Sequence, residues 1–146
     1  MAGRSNVFAR LREAAQGDLH AQRALVARTM EIASTSDEQI AFWALNEGLV
    51  IARMAALHGG FSDVVAVISM LDRAAGIAVR HGEDDIRSFL AGECVAWINY
   101  LADRGDENAA TRLVEIGGEE SPATMLFAQH FHELMTLGEK DADNAV

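Results

Sequence analysis

The stretch GDLHAQRALV at residues 17–26 returns as GDENAATRLV at residues 105–114, a spacing of 88. Glycine, aspartate, alanine, leucine and valine keep their places, and the residues between them change. Each repeated type has a local meaning. A glycine just past a helix end takes the left-handed backbone region without a Cβ penalty. The aspartate after it offers its carboxylate to the orphan N–H groups of the next helix. Ala21 and Leu25, four apart, then fall on one helical face. The decamer is a helix stop followed by a helix start, and the chain takes that step twice.

Similar punctuation recurs outward from it. Gly59–Gly60 and Gly82–Glu83 are glycine breaks of the same kind, and STSD (34–37) and GGEESP (117–122) supply two more. Ser36 and Gln39 have capping-box spacing. Ser121 precedes a proline suited to the first helical position. Between breaks the apolar residues recur with helical period, which predicts helices near 6–16, 18–33, 37–57, 62–81, 84–103, 106–116 and 122–137. Val64, Val67, Ile68 and Leu71 form one stripe; Ile86, Leu90, Trp97 and Leu101 form another. Helices 37–57 and 62–81 are apolar over more than one stripe, so they are expected to be central and covered on two sides. No strand pattern competes. The fold class is all-α, one domain over 1–137 followed by a polar, flexible tail at 138–146.

The repeat extends beyond the decamer. A shift of 46 lays residues 37–60 over 83–106. Ile40 then meets Ile86, Trp43 meets Phe89, Glu47 meets Glu93, Ala56 meets Ala102 and Gly59 meets Gly105. One unit is therefore a helix, a turn, a second helix and a glycine-marked turn. Its length of 42 to 46 residues lies within the range of HEAT-like arrays. AAQGDLHAQRALV and LADRGDENAATRLVEIG resemble the start of a tetratricopeptide-like or Sel1-like repeat, across the two halves of residues 14–114. The regular Gly, Tyr and Pro positions of those families' second helices are not reproduced, and the helices are a turn longer. The resemblance implies a right-handed αα-hairpin solenoid of about seven antiparallel helices. It also implies a protein–protein interaction scaffold without catalytic residues.

Composition narrows the function classes. The chain is 146 residues long, 50% apolar and 23% charged, which suits a globular protein with a real core. Net charge is −10. Residues 1–60 hold six acids and six arginines; residues 61–146 hold sixteen acids and six bases. A nucleic-acid binder carries a basic footprint, and this chain has none. The lone Cys94, within FLAGECVAWI, can form no intramolecular disulfide and is expected to be buried and inert. The first residues lack the apolar core of a signal peptide. The apolar helices are interrupted by Asn46, Glu47, Arg53, Asp72, Glu93 or Asn99, so no membrane span is expected. The expected location is the cytoplasm.

Several residues invite chemistry. His130 and His132 point about 200° apart on a helix and cannot share one metal ion. Glu47 and Glu93 occupy equivalent places in two apolar helices, beside Asn46 and Asn99. Paired carboxylates can serve acid–base or ligand chemistry, but the Glu-x-x-His signature of carboxylate-bridged metal bundles is missing. No metal or other cofactor is expected. Gly48 and Gly92 lie inside helices, where glycine costs roughly 0.5–1 kcal/mol against alanine, so close helix approach is the expected compensation. Trp43, Trp97 and Tyr100 stand at helical spacing and are expected in the core. The RGD at 104–106 reads as a helix stop and cap. The leading expectation is binding of a protein or peptide in a helical groove through polar positions such as His20, Arg23 and Asp72. One alternative is an acidic inhibitor that occupies a basic partner through acids such as Asp84, Asp85, Glu119 and Glu120. Another is a small-ligand domain using Glu47 and Glu93. So short an array can also bury an apolar face by forming a homodimer.

Overall fold

The structure is a computed structural model that describes the backbone of residues 2–144 and the side chains of residues 8–137. The described residues form seven α-helices and no strand: α1 (Ala2–Ala15), α2 (Leu19–Thr35), α3 (Glu38–His58), α4 (Phe61–Arg80), α5 (Asp84–Asp103), α6 (Glu107–Gly117) and α7 (Pro122–Asn144). The predicted helices are all present. The backbone of α7 continues as helix through much of the stretch expected to be a flexible tail, whose side chains lie outside those described.

The opening decamer and its echo build the same object. Gly17 and Gly105 both have φ +94°. The N–H of Asp18 donates to the Glu13 carbonyl and that of Gly17 to the Ala14 carbonyl. Asp106 and Gly105 donate in the same way to Leu101 and Ala102. These paired bonds are the Schellman closure of a helix end. Each aspartate then caps the next helix: Asp18 accepts from the Ala21 N–H at 2.9 Å and Asp106 from the Ala109 N–H at 3.0 Å. Gly82 makes a third closure, with φ +72°.

Two breaks work differently from expectation. Gly59 has φ −94°, so it is not a left-handed stop. Its missing side chain makes room for Asp63 instead, whose carboxylate accepts from the Gly60 N–H at 2.8 Å and so closes the start of α4. At 34–37 the cap is Asp37, which accepts from the Ile40 N–H; Ser36 ends α2 and forms no capping box with Gln39. Ser121 caps α7 as expected, accepting from the Thr124 N–H.

The chain divides into two compact units, Met1–Ile77 and Ala78–Val146. In the first, α1 packs on α2 and α2 on α3. Ala14, Ala21 and Leu25 form a core cluster there, with Ile51 packed against it. The Gln22 amide donates to the Ala14 carbonyl inside this seam. Gly48 faces α2, where a Cβ would stand 2.7 Å from Thr29 Oγ1 and 2.9 Å from Thr29 Cβ.

In the second unit α5 is the central helix. Residues Leu90 through Ile98 are all buried, and α6 and α7 both pack on α5. Arg87, early in α5, meets Thr124 and Glu120 at the start of α7; Asn99, late in α5, meets His132. The two helices therefore run in the same direction, with α6 returning between them in sequence. Gly92 lets them close. A Cβ there would meet Phe127 Cβ and stand 3.0 Å from both Ala128 N and Thr124 O. Both internal glycines thus answer the expectation of close helix approach.

Candidate interaction surface

The residues expected to make a site fall in both units. In the first, His20 is exposed. Arg23 is committed to structure: its Nε and Nη2 each donate at 2.8 Å to the Asp63 carboxylate. That fork, together with the Gly60 N–H, holds the Asp63 carboxyl below its ordinary range, against the opposing effect of burial. The same pairing raises the Arg23 guanidinium further. Asn46 is half-buried and donates to the Phe42 carbonyl one turn back, while Glu47 and Asp72 are exposed.

In the second unit, Glu93 is buried at 2% exposure and accepts from the Trp97 indole N–H at 3.0 Å. Asn99 Nδ2 lies 3.1 Å from His132 Nδ1. The equivalence of Glu47 and Glu93 in sequence thus becomes an exposed carboxylate in one unit and a buried one in the other. A cleft of about 50 Å³ is lined by Tyr100, Asp103, Arg104, His132, Met135 and Thr136. It takes in neither glutamate and is far below the roughly 300 Å³ of a small-molecule site. Of the acids considered for a basic partner, Asp84, Asp85 and Glu119 are exposed, while Glu120 is partly buried and paired with Arg87 at 3.2 Å.

The surface that sequence reasoning missed lies on α3. Its inner face is buried by Ala41, Leu45, Gly48, Leu49, Ala52, Ala55 and Ala56. Its second apolar stripe, expected to be covered, is open: Ile40, Trp43, Val50 and Leu57 are 52%, 65%, 58% and 64% exposed. Trp43 is therefore not a core residue, whereas Trp97 is, at 3%. The open positions advance by three and seven, and Glu47 and Met54 fill the remaining steps of that heptad pattern. Over 17 residues the stripe is about 25 Å long. Single exposed apolar residues need no explanation, but four on one side of a helix, interrupted by Glu47, do. The signal was in the spacing 40, 43, 50, 57; what sequence could not say was which of two apolar faces the chain would use itself.

By length and composition α3 is also, among the described residues, the one helix apolar enough to cross a membrane, although sequence had suggested none. Its residues Asn46, Glu47 and Arg53 interrupt the apolar surface on and beside the open stripe.

The second unit shows what such a face can receive. The 46-residue shift places Trp43 on Phe89. Phe89 stands edge-on to both Phe127 and Phe131 of α7, with ring centroids 5.3 and 5.1 Å away. On α5 this face carries a helix. Comparison of the chain with family models, curated proteins and solved structures finds no match.

Proposed function

We propose that this chain is a non-enzymatic, tetratricopeptide-like helical interaction domain whose binding face is the outer stripe of α3. The observation that carries the reading is the row Ile40, Trp43, Val50 and Leu57, open along one side of a helix whose other side is core. Tryptophan is among the residues favoured at the energetic centre of protein interfaces. The repeat supports the reading, because the corresponding α5 aromatic packs under a helix. So does the parallel α5–α7 arrangement, the neighbour relation that stacked αα-hairpins use. Of the polar positions His20, Arg23 and Asp72, the Arg23 fork is already engaged by Asp63, while His20 and Asp72 are exposed.

The test is site-specific photocrosslinking in cells that naturally make the protein. A photoreactive residue at position 43 should give protein adducts of discrete mass. The same residue in place of the exposed Glu31 on α2 should give none. Equal labelling at the two positions, or none at 43, overturns the reading.

A further inference from the structure

We infer that the occupant of the α3 stripe is the α3 stripe of a second copy, docked antiparallel about a two-fold axis through Val50. This rests on the interaction reading above and deepens it by naming the partner. Two observations favour a second copy, and the area available sets how tightly it is held.

The first is period. Apolar side chains that advance about every 3.5 residues stay in register with a facing helix along a shared seam. The stripe at 40, 43, 50 and 57, with Met54 half-buried, has that advance. It suits a helix of similar length better than a flat surface or a small ligand.

The second is charge. On and beside the stripe, α3 carries Glu47 in its N-terminal half and Arg53 in its C-terminal half. A two-fold axis through Val50 pairs residues whose numbers sum to 100. It sets Trp43 against the partner's Leu57 and Glu47 against the partner's Arg53. Glu47 of each copy then meets Arg53 of the other, and the opposed helix dipoles add to that. Arg53 is also engaged within its own chain, so its charge is shared between the two contacts. Parallel docking would instead stack Glu47 on Glu47.

The area sets the strength of the contact. Trp43, two-thirds exposed, presents on the order of 150 Å². Ile40, Val50 and Leu57 add roughly 60–100 Å² each. The apolar contribution is about 400 Å² per copy, half the roughly 800 Å² of a standard interface. The contact is therefore small, and the dimer it makes is a weak, transient one.

The experiment uses the full chain. Sedimentation velocity across roughly 1–100 µM should show a concentration-dependent monomer–dimer equilibrium, with Trp43 emission shifting to the blue as dimer forms. The double variant W43E/V50E should stay monomeric throughout while its far-ultraviolet dichroism and urea midpoint stay near wild type. A crosslinking variant keeps the test independent of those substitutions. In a Cys94→Ala background, Val50→Cys should form an intermolecular disulfide when oxidised by oxygen with a copper catalyst, because the axis brings position 50 onto itself. Glu31→Cys should not. A monomer at every concentration, a dimer that survives W43E/V50E, or stripe-dependent binding to phosphatidylcholine vesicles in place of dimerisation each overturns the proposal. If the chain is monomeric but position 43 still captures another protein, the second-copy inference falls and the interaction reading stands. If neither occurs, both fall.

Discussion

Replacing either internal glycine by alanine separates local propensity from tertiary packing. By propensity alone, Gly48→Ala and Gly92→Ala should each stabilise by roughly 0.5–1 kcal/mol. The structure reverses both signs. At Gly92 the new methyl would meet Phe127 Cβ and approach the α7 backbone at Ala128 N and Thr124 O, 3.0 Å away. Backbone cannot swing aside, so α5 and α7 must part along their length. Overpacking of this kind costs about 1–3 kcal/mol, leaving a net destabilisation of up to about 2.5 kcal/mol after the propensity gain. At Gly48 the nearest atoms belong to the Thr29 side chain. Gly48→Ala should therefore also destabilise, and Thr29→Ala, which removes Oγ1 and Cγ2 but leaves the Cβ 2.9 Å away, should rescue it in part. The coupling in that double-mutant cycle should reach about 1 kcal/mol or more. No truncation of Phe127 beyond Cβ should rescue Gly92→Ala. Urea denaturation reads both sites, provided the two units are followed separately. Trp97 in a Trp43→Phe background reports the second unit, since Trp97 is buried there and Trp43 belongs to the first. A Gly92→Ala chain more stable than wild type would refute the close α5–α7 approach.

Further expectations follow from other contacts. Asp18→Ala and Asp106→Ala should each cost about 1 kcal/mol, and nearly the same amount, because their caps share one geometry; Asn at either site should be close to neutral in thermal melts. Asp63 has a folded pKa below its unfolded value, so its contribution is fully present above the unfolded value of about 3.9 and is lost as pH falls through the folded one. Asp63→Asn should flatten that part of the acid-unfolding curve of the first unit, and an unchanged curve would remove the Arg23 fork as its cause. Glu93→Ala leaves the buried Trp97 N–H without the acceptor it has now and opens a void beside it. A loss of about 2–4 kcal/mol, with a change in Trp97 emission, is expected on unfolding in urea, and Glu93→Gln should restore much of it.

Much of the fold was legible because it is written in short-range terms. Gly17–Asp18 and Gly105–Asp106 each fix a helix end and the next helix start within six residues, so the same five letters give the same φ of +94° and the same cap twice. Where the local code was ambiguous, tertiary contacts chose. Gly59 resembles Gly105 in the repeat but turns with negative φ, because Asp63 fills the space beside it and Arg23, forty residues earlier, holds that carboxylate. The repeated valine is buried at Val26 and 81% exposed at Val114.

The candidate surface was half legible for the same reason. Sequence determined that α3 has two apolar faces, that Gly48 and Gly92 need close neighbours, and that Glu47 and Glu93 sit in apolar helices. Only the tertiary structure decided that α2 takes one face of α3 and leaves Trp43 in solvent, while α7 closes over Phe89 and the second unit buries Glu93 against Trp97. Periodicity states which side chains share a face. Which face is covered depends on the neighbours available, and that is a property of packing between segments far apart in the chain.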